Sequence, residues 1–350
     1  MKLLLSNFGK AKYKTHPKTR DIWYENLKLA DSIKIATGYI SSGSLTELAK
    51  IVELNPKPKI DLLIGMHFFS GFTKPQYDSA LALHNILQNN GRGSVYISNS
   101  IMFHGKLYSF TKSENSKDIY RAIVGSSNIG SMVESSFGLY EADCYFQDDK
   151  CGKLVHETIL NLHRDIGVII SEVSIKSFNK NNDLLEDHYG VVKVSHEELV
   201  KVWDTKTSTV FNIPVKTEPK SNLNAFFGRG RKSPRGFVVP RPWYEAELIV
   251  PFNITKIQNY PKDRSINVYT DDGWSFKCAT NGQNAKNFRS LEDLQILGRW
   301  IKGRLELSGA LKIGQPVTDD VLRNYGNNTV KLTATSDPNV WLLDFTQNTK

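Results

Sequence analysis

The sequence predicts an α/β domain with helices on both faces of a mixed sheet, followed by a mainly-β domain. Three observations predict it. Up to about residue 165, strand-like runs alternate with helix-like runs. From about Val168 the chain changes to short β-branched and aromatic runs separated by Pro, Gly and Asn. The length, 350 residues, exceeds what one core usually serves, since single cores rarely grow past about 250 residues.

The elements follow in order. Residues 33–40 form an apolar strand, and 44–54 a helix with Leu45, Leu48, Ala49 and Val52 at helical spacing. Residues 60–66 make a buried strand. Residues 74–88 make a helix with Tyr77, Leu81, His84 and Leu87 on one stripe, ended by Gly91-Arg92-Gly93. Residues 94–98 are a third strand. This alternation predicts a mainly parallel sheet covered on both faces. Two further strands at 101–110 and 120–124, another around Glu141, and a closing helix over 150–164 complete the domain. A polar, asparagine-rich stretch at 177–187 suits a linker. Beyond it lie strand-like runs at 209–215, 243–250, 265–270, 274–279, 330–335 and 340–345. One helical run, 290–303, opens at Ser290 with Asp293 three residues on. The domains are therefore expected at 1–170 and 190–350, joined through 171–189.

Composition narrows the function. The net charge of +9 favours a polyanionic partner. Both halves carry it: residues 171–350 hold 25 Lys+Arg against 20 Asp+Glu, hence +5. No apolar run approaches the ~20 residues of a membrane span. Met1 to Leu5 imitates the start of a signal peptide, but Asn7 and Lys10 interrupt it, so a cytoplasmic location is expected. Three scattered cysteines without a Cys-x-x-Cys argue against a disulfide framework and a zinc site. His156 and His163, seven apart on one helix face, lack a third ligand and read as surface or core histidines.

The chemistry concentrates at His104-Gly105-Lys106, followed by Gly125-Ser126-Ser127-Asn128 after the next strand. If 101–110 is a strand, His104, Lys106 and Tyr108 share a face. Pairing with 120–124 brings Asn128 beside His104. A neutral imidazole can attack phosphorus to give a phosphoenzyme that water resolves. Lys106, Ser126 and Asn128 would stabilise the charge on the non-bridging oxygens. A lone His-x-Lys is commonplace, and His16-Pro17-Lys18 is another. Only the first is followed by Gly-Ser-x-Asn.

These residues resemble the signature of the phospholipase D superfamily, over roughly residues 30–165. The family's usual aspartate, five residues after the lysine, would fall on Thr111. Members that lack it include metal-independent restriction nucleases, which use a later glutamate. The resemblance assigns that role to Glu141, with Asp143 in reserve on the same face. It implies a phospholipase D-like sheet, no cofactor and no metal.

The second half carries two loops suited to DNA. Between Lys220 and Arg241 lie Arg229, Arg231, Lys232 and Arg235, with no acidic residue and frequent Gly and Pro. Arginine forks fit phosphates and the guanine edge. A second loop, 280–287, holds Asn281, Gln283, Asn284 and Lys286, whose amides can pair with adenine. A nuclease domain joined to a small β-domain of this kind resembles the BfiI/NgoFVII type of restriction endonuclease. There the second domain is a B3-like pseudobarrel. The run 297–304 has the same resemblance.

The function implied is site-specific DNA cleavage through a covalent phosphohistidine without metal. The alternatives are a phospholipid hydrolase of the same superfamily and a catalytically degenerate DNA-binding protein. Double-stranded DNA is the expected partner and no membrane is; a helicase-like partner is left open. One histidine must attack and another must protonate the leaving oxygen. The chain holds one such motif, so a homodimer through the N-terminal domain is expected.

Overall fold

The computed structural model describes residues 1–6, 17–55, 57–133, 140–179, 183–186, 188–232 and 238–347. The His16-Pro17-Lys18 imidazole and Arg235 lie outside them. The chain divides into two compact units, Met1–Asn181 and Asn182–Lys350.

The first unit runs β1 (Lys2–Ser6), α1 (Thr19–Leu29), β2 (Ser32–Thr37), α2 (Ser42–Leu54), β3 (Lys59–Ile64), α3 (His67–Ser70), α4 (Lys74–Asn89), β4 (Val95–Ser98), β5 (Lys106–Glu114), β6 (Lys117–Gly125), α5 (Ile129–Val133), β7 (Glu141–Phe146), α6 (Asp149–Ile166) and β8 (Gly167–Ile169). Its eight strands form one sheet in the order β1-β7-β6-β5-β2-β3-β4-β8. Only β2-β3 and β3-β4 pair in parallel. The other neighbours are antiparallel, so the sheet is mixed rather than mainly parallel. The cause is a hairpin: β5 and β6 are joined at Asn115 and Ser116, both in the left-handed region (φ 50° and 63°) that a two-residue hairpin turn requires.

Helices cover both faces. Alternation on β5 sends Tyr108 and Phe110 toward Trp23 of α1, ring to ring at 5.7 and 5.4 Å. Ser109 and Thr111 point the other way, toward His156 of α6. Capping boxes start two helices: Ser41 with Ser44 for α2, and Thr73 with Gln76 for α4. Asp148 accepts from the Cys151 N–H to cap α6. His156 and His163 face inward: His163 bonds the Ile35 carbonyl at 3.2 Å and stacks on Tyr96.

The expected strand 101–110 starts only at Lys106, so His104 precedes the strand instead of riding on it. Phe103 is held elsewhere. Its N–H donates to the Gly65 carbonyl at 3.1 Å, just past β3. That approach needs a glycine, because a Cβ at 65 would lie 2.0 Å from the Phe103 oxygen.

The second unit contains β9 (Val191–Lys193), α7 (His196–Asp204), β10 (Lys206–Pro214), β11 (Arg231–Lys232), β12 (Val238–Val239), β13 (Leu248–Ile249), α8 (Phe252–Thr255), β14 (Ser265–Thr270), β15 (Trp274–Asn281), β16 (Asn287–Ser290), α9 (Gln295–Leu307), α10 (Asp319–Tyr325), β17 (Thr329–Thr335) and β18 (Val340–Asp344). Its sheet is ordered β10-β17-β18-β14-β15-β16-β13, with β9 also on β15. The sheet curls as a half-barrel over α9, whose Ile296, Leu297, Trp300, Ile301 and Leu305 are fully buried among strand residues. Gln295, Arg299, Lys302 and Glu306 of the same helix are buried too, so its polar side is covered as well as its apolar one.

Two boundaries differ from expectation. The run 243–250 contributes only the short strand Leu248–Ile249, because Trp243 and Tyr244 turn their polar atoms toward Glu306 of α9. The helix starts at Gln295, not at Ser290, which instead ends β16. The Ser290 hydroxyl donates to the Asp293 carbonyl and accepts from the Leu297 N–H.

Candidate active site and nucleic-acid interface

The ends of β2 and β3 build a floor. Gly65 N–H donates to the Thr37 carbonyl and Met66 N–H to the Gly38 carbonyl, so the chain after each strand stays in step. His104 lies over this floor. A Cβ on Gly38 would come within 2.9 Å of the His104 ring, and Tyr39 meets that ring edge-on with centroids 5.6 Å apart. His104 is exposed. The other described histidines of this unit are committed inward: His67 and His84 are buried among backbone groups, and His156 and His163 face the sheet.

Lys106 is buried, with 8% of its surface exposed, and its Nζ donates to the His104 carbonyl at 2.6 Å. Burial lowers its pKa, and the Glu141 carboxylate opposes that shift. Lys106 pairs in register with Thr37. The Thr37 hydroxyl in turn donates to Asn128 Oδ1 at 3.2 Å, and the Tyr39 N–H donates to the same oxygen at 3.1 Å. With Oδ1 satisfied twice, the amide nitrogen is the end of Asn128 left to donate. Thus His104, Lys106 and Asn128 are connected through one short segment, 37–39, to which the sequence alone gives no role.

Glu141 is buried at the start of β7. It accepts from the Ser126 hydroxyl and, at 3.0 Å, from the Ser131 hydroxyl. The Ser126 proton is therefore committed to Glu141, while its oxygen accepts from the Ala142 N–H at 3.0 Å. Asp143 is used differently. It accepts from Ser127 through both backbone and hydroxyl and from the Thr19 hydroxyl at 2.7 Å, all out of solvent. Tyr108 donates to the Ser127 carbonyl at 2.7 Å, fixing the Gly-Ser turn from below. Thr111 is an odd number of residues from Lys106 and points to the opposite sheet face, against His156. A carboxylate at 111 would not face Lys106.

Among the described residues no group of three or more His, Cys, Asp or Glu side chains is arranged to hold a metal ion. Nor is any described helix long and apolar enough to cross a membrane.

In the second unit the two loops have distinct characters. Arg231 and Lys232 form β11, paired with Val239 and Val238 of β12. Arg229 and Lys232 are exposed. Arg231 is exposed too, yet it reaches Glu245 at 2.5 Å, and Arg241 binds the same carboxylate through two nitrogens. Glu245 lies just past the acid-free window of 220–241. In the other loop Gln283, Asn284 and Lys286 are exposed. Asn281 is half-buried and, with Oδ1 turned to Arg289, accepts from its Nη2 at 2.8 Å. Gly282, Asn284 and Ala285 all have positive φ, and Ala285 plugs the loop into the core.

Comparison with known proteins divides the chain the same way. Residues 18–173 match the NgoFVII restriction endonuclease N-terminal PLD domain, and residues 201–336 match the NgoFVII C-terminal B3-like DNA-binding domain. No curated protein sequence matches the chain. Among solved structures, a crystal structure of polyphosphate kinase from Porphyromonas gingivalis is 14% identical at a TM-score of 0.31, over 48% of this chain. The chain spans 24% of that kinase's length.

Proposed function

The chain belongs to the NgoFVII restriction endonuclease family, with a phospholipase D-like domain and a B3-like domain, and from that premise we propose that it cleaves duplex DNA at a defined sequence through a phosphohistidine, without metal. One observation carries this reading: His104, the exposed one among the described histidines of the first unit, stands on the segment that also orients Asn128 and faces Lys106.

The chemistry follows from those residues. A neutral His104 nitrogen attacks phosphorus, and the bond from phosphorus to one deoxyribose oxygen breaks. That oxygen takes a proton from the same histidine of a second copy, so the active species is a homodimer with a shared centre. Lys106 and the Asn128 amide neutralise the non-bridging oxygens, supplying the charge a metal would otherwise bring. Water then attacks the phosphohistidine and releases the DNA phosphate. Glu141 holds the Ser126 turn and opposes the lowering of the Lys106 pKa by burial. Base identity falls to the second unit, through Arg229, Lys232 and Arg235 in one arm and Gln283, Asn284 and Lys286 in the other. Phosphate contacts alone carry no sequence information. The match of residues 201–336 to a DNA-binding domain favours DNA over a lipid headgroup as the phosphodiester.

The test is to trap the intermediate. End-labelled duplex DNA, quenched in denaturant during cleavage, should leave label on the protein in an acid-labile, base-stable bond. Label that never reaches protein while DNA is cut would exclude the covalent route.

A further inference from the structure

We propose that Glu245 is the positioning residue of the basic arm: it holds Arg231 and Arg241 in place, while Arg229 and Lys232, among the described residues, are cations left to be offered to DNA. The proposal rests on the arm being a DNA-contacting element, as proposed above.

Glu245 is 3% exposed, yet it meets two guanidinium groups. Such a carboxylate is costly unless both its oxygens are paired, and here they are. Its backbone cannot drift. Trp243 Nε1 and Tyr244 Oη donate to Glu306 of α9 at 2.7 and 2.9 Å. Lys302 of α9 donates to the Trp243 carbonyl and lies 3.3 Å from the centre of that indole. Gly298 allows the closest approach, because a Cβ there would lie 1.8 Å from the Tyr244 oxygen. The segment 243–245 is thus fastened to the core helix, and its third residue reaches out to the arm.

The arm consequently has two classes of cation. Arg231 and Arg241 are neutralised from below by a fixed carboxylate. Arg229 and Lys232 are exposed and carry no ion pair among the described residues. An arginine freed from Glu245 would find phosphates on any sequence, and each phosphate it neutralised would add about 0.9 to the salt dependence of log K. Glu245 therefore trades general affinity for a preformed arm.

The experiment uses the full chain with Glu245→Gln and two probes: a random-sequence duplex, and a duplex enriched by the wild-type chain from a randomised pool. Glu245→Gln should bind the random duplex more tightly, with a salt slope steeper by about one to two units. Its preference for the enriched duplex should fall. If slope and preference are unchanged while Arg229→Ala and Lys232→Ala weaken binding, the arm touches DNA but Glu245 does not organise it, and the proposal is overturned. If neither Arg229→Ala nor Lys232→Ala alters binding, the arm reading fails first. Should Glu245→Gln lose its cooperative melt, Arg231→Gln decides. An unchanged slope with reduced preference supports the strut role, and a slope shallower by about one unit means Arg231 holds a phosphate and sinks it.

Discussion

The Lys106 ammonium donates to the backbone carbonyl of His104, 2.6 Å away. The cation therefore steadies the peptide that carries the imidazole. The strand begins at Lys106 itself, so His104 lies just outside it.

His104→Ala should abolish cleavage, by about 10⁴-fold or more, as expected for a covalent nucleophile. Duplex affinity and melting temperature should stay as in the wild-type chain, because the ring is exposed. Plasmid nicking, gel shift and thermal melting measure the three; cleavage near the wild-type rate would remove His104 from the mechanism.

Glu141→Gln should slow cleavage by roughly 10²–10⁴-fold. Thr111→Ala should leave it close to wild type, since that side chain sits with His156 on the other sheet face. Single-turnover rates compare the two. A larger loss at Thr111 than at Glu141 would reverse the assignment.

Cleavage should persist in excess EDTA, with Lys106 and Asn128 serving the phosphate oxygens. An absolute requirement for added magnesium in the same plasmid assay would contradict the chemistry proposed.

Sedimentation should show a dimer at concentrations where the chain cuts. Mixing in His104→Ala chain should reduce activity more than simple dilution does, because mixed dimers lack one of the two imidazoles. A fully active monomer, or purely proportional dilution, would refute the shared centre.

Burial, reinforced by the Arg299 charge, pushes the His188 pKa down to about 3. The folded chain keeps this imidazole neutral while the unfolded chain binds a proton below about 6.5. Stability is therefore present above pH 6.5 and is lost as pH falls toward 3, by about 1.4 kcal/mol per pH unit for one proton. His188→Gln should flatten the acid limb of a melting-temperature profile. An equally steep limb in that variant would show that other groups drive the loss.

The two-part fold was legible because its signals are local. Helical spacing at Leu45, Leu48 and Val52 and the β-branched runs after 260 state their own structure, and both fold classes follow from them. His104, Lys106, Asn128 and Glu141 carry their chemistry in their side chains; the first three meet around the segment 37–39, and Glu141 acts on Lys106 electrostatically. What the sequence hid is tertiary. Phe103 leaves the strand because Gly65, nearly forty residues earlier, accepts its N–H. Glu245 neutralises two arginines of a window that holds no acidic residue of its own. The antiparallel hairpin had a signal in Asn115-Ser116, but helix alternation suggested a parallel sheet more strongly. The helices α7 and α10 also had theirs, in the Ser195 and Thr318 caps. α7 buries no residue and α10 only Leu322 and Tyr325, too few for periodicity to mark them.

The contact between Gly65 and Phe103 makes the His104 loop a detachable part. Its path is set by the Ser98 hydroxyl, which donates to the Ile101 carbonyl, by the Phe103 N–H on the Gly65 carbonyl and by the absent side chains at 38 and 65, with no hydrogen bond from a side chain of residues 99–102 among the described residues. Those positions, where Ile101 and Met102 stand exposed, are therefore open to redesign: a substituted loop can change what approaches the phosphate without moving the imidazole. A single methyl group at position 65 would do the reverse, leaving every chemical group intact and displacing the imidazole proposed to attack.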